Sequence, residues 1–481
     1  MRRLLAAGIH GMIAAQALDP GCRRSIAVIA PYMTLPTDSP MAARNLIPST
    51  LARPRALQFW FAVVLTGIST GIGAAVLTRL LEFVQRVAWH GSATDILDAA
   101  QHASLRRHLL VLLGAALLTG VGQLLLKQLS SGNGIDTTAA IWFHAGRLPA
   151  LRTLGSAVLS VLLVGMGVSL GREGAPKQAG AVFANFFSDK ERLSDEQRRL
   201  LVACGAGAGM GAAYGVPLGG ALFALEVMRG KLALRYVLPA LFASLIATGV
   251  SWFALPNAPT YLIPSYLHSS SVFWWVLIAA PIAGLASVWY VRLITWADRH
   301  RPHGWHRFSA PLIMIGLFGV ISLWFPQILG NGKDISELAF TGQVAPALLL
   351  ALLVLKPAAT AMCMRGGAPG GMFTPSLTAG AMLGGVLGYA WSHFWPGVPP
   401  GLFALLGAGA VIAATTQGPI SAVVLMMELT GRDRSFALPL LLMVGIATLV
   451  ARTIEPRSIY DARLTEEEIA ERQRLRDEPA A

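Results

Sequence analysis

An acid–base pair, Arg172–Glu173, stands between Gly171 and Gly174 in the string VGMGVSLGREGAPKQAGAVF, where nearly every other residue is apolar, small or glycine. A carboxylate set in apolar text of this length is costly to keep in hydrocarbon, so its default reading is a group on an ion or proton path. The flanking glycines let the backbone leave a helix and expose N–H groups, and N–H groups at a helix start bind anions. Two further strings have this character, SSGNGID at 130–136 and RGGAPGGMFTPSL at 365–377. A fourth, EPRSIYDARL at 455–464, brings Tyr460 to the end of the last apolar run. Each helix start leaves unpaired donors and carries about half a positive charge from its dipole. Several starts converging could hold an anion with no formal cation nearby, and still release it. Taken singly, each glycine reads as a packing site. Gly207, Gly211, Gly215 and Gly219, spaced by four, are assigned to close helix approach. The GAGAGMG run around them lacks the spacing and strand context of a dinucleotide fingerprint.

These strings must be positioned by helices. The chain has 481 residues, 54% hydrophobic and 13% charged, against about 25% charged in soluble domains. Apolar runs at 57–78, 109–126, 237–253, 271–291, 344–364 and 436–451 approach or reach the ~20 residues that span a bilayer. A transmembrane β-barrel would need short alternating segments, which do not occur. The fold class expected is therefore an all-α polytopic membrane protein. Shorter apolar segments at 172–187, 216–228, 372–388 and 417–429 read as broken intramembrane helices, tolerated only where they line a cavity or are buried in protein. The net charge of +13 has no accompanying basic–aromatic pattern, which argues against nucleic acid. Its clusters flank apolar runs, as the positive-inside rule requires, and put both termini in the cytoplasm. Cys22, Cys204 and Cys363 form neither a CxxC nor a Cys/His pattern, and nothing calls for a metal or cofactor.

The order of motifs repeats. GNGID (Gly132 to Asp136) is echoed by GNGKD (Gly330 to Asp334), and GVPLGGALFALE ending at Glu226 by GPISAVVLMMELTG containing Glu428. The expected organisation is a leader at 1–55, read as cytoplasmic rather than as a cleaved signal peptide, a first membrane half at 56–254, a linker at 255–270, a second half at 271–460 and a short polar tail at 461–481 without a regulatory domain. Inverted repeats place a substrate site between halves.

Over residues 57–464 the chain resembles the CLC family of chloride channels and proton-coupled anion antiporters. GREGA at Gly171 to Ala175 is similar to the family's GREGP or GKEGP, and GGMFTPSL at Gly370 to Leu377 to its GGxFxPxL. GAAYGVPLGGALFALE at Gly211 to Glu226 and QGPISAVVLMMELTG at Gln417 to Gly431 match two further signatures in the family's order. The resemblance implies a homodimer in the cell membrane with one pore per subunit, carrying chloride or another small anion. Glu173 is then the gating carboxylate that competes with the anion. Arg172, Gly174, Met372 and Phe373 offer backbone N–H groups, Asn133 and Gly134 belong to the central site, and Tyr460 closes its inner side. An interfacial aromatic anchor is the bland alternative for Tyr460.

Three departures bear on mechanism. The family's GSGIP appears as GNGID, so Asn133 replaces the serine that contacts the central anion, as in some fluoride/proton antiporters. Asp136 stands where proline is usual and would cap the following helix. The inner proton-transfer glutamate of the antiporters falls on Val227, with Glu226 beside it as the substitute relay, or as a helix-end acid paired with Arg229. Glu428, close to Arg432 and Arg434, receives no pore role. Lys177 either snorkels to water or tunes anion entry. Val227 tilts the expectation toward channel-like or weakly proton-coupled anion conduction, with a proton-coupled fluoride or chloride antiporter as the alternative. An intramembrane enzyme would need a nucleophile beside His144, the only histidine near a motif, and none is present. A purely structural membrane protein would not require buried acids at glycine-bracketed helix starts.

Overall fold

Backbone groups in apolar surroundings are satisfied within helices, and the apolar runs fold accordingly. The computed structural model describes residues 56–90, 96–129, 136–266, 269–431, 436–461 and 464–477. The leader at 1–55, Asn133 and Gly134, and Arg432 and Arg434 lie outside the described residues. The first series of helices is α1 (Ala56–Trp89), α2 (Ile96–Gln101), α3 (Leu105–Gln128), α4 (Thr137–Phe143), α5 (Ala150–Gly165), α6 (Gly174–Lys190), α7 (Asp195–Tyr214), α8 (Pro217–Leu222, continued by a π-helix over Phe223–Arg229) and α9 (Leu234–Ser251). The second is α10 (Ser271–Arg299), α11 (His306–Ile321), α12 (Lys333–Phe340), α13 (Pro346–Arg365), α14 (Phe373–Phe394), α15 (Pro400–Thr416), α16 (Pro419–Thr430) and α17 (Ala437–Ile454). A 3-10 turn over Ile459–Asp461 and α18 (Glu466–Asp477) follow. Among the described residues, α1, α3, α9, α10, α13 and α17 are long and apolar enough to cross a membrane. They coincide with the six apolar runs.

The repeat is visible in the packing. Helix α6 lies on α7 as α14 lies on α15, α7 on α9 as α15 on α17, and α1 on α9 as α10 on α17. The series meet where α3 packs on its twin α11 and α8 on its twin α16, as a pseudo-two-fold between inverted repeats requires. Small residues let the central helices touch. A side chain at Gly180 or Gly205 would strike the carbonyl of the other, and Gly380 and Gly407 repeat the arrangement between α14 and α15. Gly207, Gly211 and Gly219 face Gly220, Ser244 and Leu425 and do pack closely. Gly215 does not: it ends α7 at φ +69°, and a side chain there would reach nothing nearer than Trp252 at 4.0 Å. It is a left-handed helix terminator, and its twin Gln417 takes the same conformation at φ +60°.

Candidate functional site

Two of the three glycine strings start helices where the repeat brings them face to face. Gly171 and Gly371 exchange backbone hydrogen bonds of 2.7 and 2.8 Å, forming an isolated antiparallel bridge. Immediately after it, α6 begins beyond Glu173 and α14 begins at Phe373 with Met372 at its cap. A side chain at Gly174 would meet the Gly371 nitrogen at 2.8 Å, so only glycine permits the approach.

Glu173 is 3% exposed. A buried carboxylate needs donors, and it finds two on the opposite repeat, at Phe373 and Thr374, and one on its own, at Tyr214. Oε1 accepts the Phe373 N–H at 2.7 Å, and Oε2 accepts the hydroxyls of Thr374 at 3.1 Å and Tyr214 at 3.2 Å. The two hydroxyls are also 2.8 Å apart. The carboxylate therefore occupies the N-terminus of α14, a place where backbone donors and helix dipole favour negative charge. Arg172 turns away, its guanidinium 4.7 Å from the centre of the Tyr214 ring. Tyr214 and Thr374 were not singled out from the sequence, although both lie in quoted motifs. Their signal was a hydroxyl inside each signature.

About one turn along α6, Lys177 is buried, with Nζ 4.5 Å over the Tyr460 ring. It does not snorkel to bulk water, because an aromatic face holds the ammonium in place. Tyr460 also packs edge-on against Phe223 at 5.6 Å. The third string ends as expected: Asp136 caps α4 by accepting the Thr138 N–H at 2.8 Å. Asn133 and Gly134 of that string lie outside the described residues.

Glu226 and Glu428 form a reciprocal pair. Glu226 accepts the N–H groups of Ile420 (3.1 Å) and Ser421 (2.6 Å) at the start of α16. Glu428 accepts those of Leu218 (3.0 Å) and Gly219 (2.6 Å) at the start of α8. Each carboxylate thus caps the other repeat's helix. The Glu226–Arg229 pair, the alternative to a relay role, does not form, since Arg229 takes Glu196 at 2.8 Å. Lys356 was also missed. In mid-α13 it is 1% exposed and donates to the carbonyls of Ile328 and Gly330 at 2.8 and 2.9 Å, where GNGKD begins.

Two cavities open onto this region. One of about 190 Å³ is lined by Arg172, Tyr214, Asn331 and Lys333. The other, about 610 Å³, is lined by Asp136, Gln178, Arg152 and Glu466.

The family described as voltage gated chloride channels matches residues 114–452 of this chain. The chain belongs to that family. It is 29% identical over 474 residues to the H(+)/Cl(-) exchange transporter ClcA of Cronobacter sakazakii, covering 92% of this chain and 98% of that one. Against ClcA of Salmonella paratyphi A it is 30% identical over 429 residues, 85% of this chain and 88% of the other. Among solved structures, a slow cyanobacterial Cl−/H+ antiporter superposes with a TM-score of 0.75 at 22% identity, covering 88% and 99% of the two chains. A CLC-type fluoride/proton antiporter does so with a TM-score of 0.67 at 22% identity, covering 84% and 97%. The CLC fold, with its inverted repeat and broken intramembrane helices, is thus the fold of this chain. Family and relatives together support anion transport across a membrane.

Proposed function

We propose that this protein exchanges a small anion, chloride in the first instance, for protons, with Glu173 as the group both ions act upon. The observation that carries the reading is the Glu173 carboxylate on the Phe373 N–H and the Thr374 and Tyr214 hydroxyls. A carboxylate oxygen there stands in for an anion. Ionised, the side chain fills the position and blocks it. An arriving anion competes for the same donors, and protonation removes the charge that holds the side chain in place. Anion movement and proton uptake are linked because one set of donors serves both.

Val227 favoured a channel-like reading from sequence alone. The relatives whose names specify H+/Cl− exchange, aligned over 85% or more of the chain, favour exchange instead. Glu226, bound to two backbone N–H groups, is poorly placed to shuttle a proton, so proton delivery on that side would rest on water or another group. Tyr460 closes the side of the path that faces the larger cavity. The two cavities carry twin segments, GNGKD in the smaller and Asp136 of GNGID in the larger. Twin segments of an inverted repeat face opposite sides of the membrane, so the smaller cavity is read as extracellular and the larger as cytoplasmic, with both termini inside. A homodimer with one path per subunit is part of the same reading.

Reversal potentials of the protein in liposomes under crossed chloride and proton gradients test it. A potential displaced from the chloride equilibrium value by the pH gradient supports exchange, and one that ignores the pH gradient rejects it. Fluoride in place of chloride ranks the two anions.

A further inference from the structure

Helix α18 has the most polar sequence of the described helices, EEEIAERQRLRD over Glu466–Asp477, yet it does not stand free. Leu464 and Ile469 are buried, and so is the charged Arg472. Arg472 forms an ion pair with Asp461, the residue after Tyr460. Asp461 also accepts the N–H and hydroxyl of Ser458, both at 2.8 Å, and so fixes the 3-10 turn that carries Tyr460. On its other side Arg472 donates to the Val227 carbonyl at 3.1 Å and lies 5.2 Å from the centre of the Trp142 ring. Trp142 Nε1 in turn donates to the Met228 carbonyl at 3.0 Å.

Val227 and Met228 belong to the last turn of the π-helix, ended by Gly230 at φ +68°. The last carbonyls of a helix lack partners within it and favour a cation. Arg472 and Trp142 supply the donors. The same π-helix begins at Phe223, which packs on Tyr460, and Trp142 belongs to α4, whose start is capped by Asp136. One guanidinium therefore joins three walls around Tyr460: its own turn, the π-helix behind it and α4 beside it.

We infer that Arg472 is a positioning residue for the inner closure, holding the Tyr460 turn against the π-helix and α4, so that α18 sets how tightly that side of the anion path shuts. The inference rests on the reading of Tyr460 as the inner closure. Salt-dependent contacts of Glu466 with Arg299 (2.6 Å) and Arg457 (3.2 Å) seat the first turn of α18. They are exposed and contribute little, whereas the Arg472–Asp461 pair is buried on both sides, and removing one member leaves the other uncompensated.

The test is chloride efflux from liposomes carrying wild type, Tyr460→Ala, Arg472→Met, Arg472→Lys, Asp461→Asn and the Tyr460→Ala/Arg472→Met double variant. Tyr460→Ala is expected to raise efflux. Arg472→Met and Asp461→Asn should raise it roughly tenfold, the shift expected when a charge-assisted hydrogen bond leaves one side of an equilibrium. Arg472→Lys should fall between wild type and Arg472→Met, and the double variant should be no faster than Tyr460→Ala. If Tyr460→Ala raises efflux while Arg472→Met and Asp461→Asn do not, the inference fails and the Tyr460 reading stands. The inference also fails if Arg472→Met adds its full effect on top of Tyr460→Ala, because it then acts elsewhere. If Tyr460→Ala leaves efflux unchanged, the Tyr460 reading falls and takes the inference with it. Asp461→Asn approaches the pair from the opposite end and keeps the test open should Arg472→Met fold poorly.

Discussion

Replacing Tyr214 by Phe removes one hydroxyl and almost nothing else. That hydroxyl lies 3.2 Å from Glu173 Oε2, and the same oxygen keeps the Thr374 hydroxyl at 3.1 Å, while Oε1 keeps the Phe373 N–H at 2.7 Å. A hydrogen bond to a charged group contributes about 1.5–3 kcal/mol. With a second hydroxyl left on the same atom, the lower end applies, about 1.5 kcal/mol. The donor favours the ionised over the protonated side chain, so its loss makes protonation easier by about tenfold, or one pH unit. An anion seated in the same place would lose the same donor, so anion competition changes less than proton dependence does. The assay is chloride flux in liposomes as pH is varied, and the pH of half-maximal flux should move up by about one unit. A folded Tyr214→Phe protein whose midpoint is unmoved, or moves down, would refute the claim that this hydroxyl stabilises the blocking form.

Gly174→Ala places a methyl group 2.8 Å from the Gly371 nitrogen, and backbone cannot yield there cheaply. The bridge between the repeats should open at a cost of about 1–3 kcal/mol, and flux should fall while the protein still inserts. Glu226→Gln and Glu428→Gln each remove the charge from a carboxylate holding two N–H groups, so each should lower stability by about 1–3 kcal/mol. Thermal unfolding in detergent measures this, and a loss confined to one of the pair would contradict reciprocal capping. A hydrogen bond from Arg299, with help from the nearby Arg457 charge, holds Glu466 below its ordinary value of 4.5. Its contribution is then present above the ordinary carboxylate range and lost as pH falls through the lowered value. Glu466→Gln should accordingly narrow the difference in melting temperature between neutral and acid pH, by a small amount because the group is exposed.

Much of the architecture was legible. The six long helices follow from apolar runs alone, since a span of that length in lipid has no other way to satisfy its backbone. The helices beginning at Gly174, Pro217, Phe373 and Pro419 were marked by glycine and proline punctuation, and the cap of α4 by Asp136, although α14, at 22 residues, outruns the short segment read at 372–388. What escaped depends on contacts distant in sequence, most of them between the repeats, or on backbone conformation. Nothing local distinguishes the Tyr214 and Thr374 hydroxyls, whose common partner lies 41 and 201 residues away. Glu226 read as a substitute relay or as a partner of Arg229, because the N–H groups it caps, at Ile420 and Ser421, belong to the other repeat. Gly215 shares its spacing with three packing glycines and differs only in backbone conformation, which spacing does not encode. Lys177 read as either a snorkelling cation or a tuner of anion entry, because the aromatic face that holds it comes from Tyr460, 283 residues on.

The central claim is that one carboxylate contends with the anion for donors at the start of α14. Glu173→Gln keeps the size of the side chain and removes its charge, and flux through it can be followed in liposomes as pH is varied. The account predicts sustained chloride flux that no longer responds to pH and no longer drives protons. Flux through Glu173→Gln that retained the wild-type pH response would contradict it.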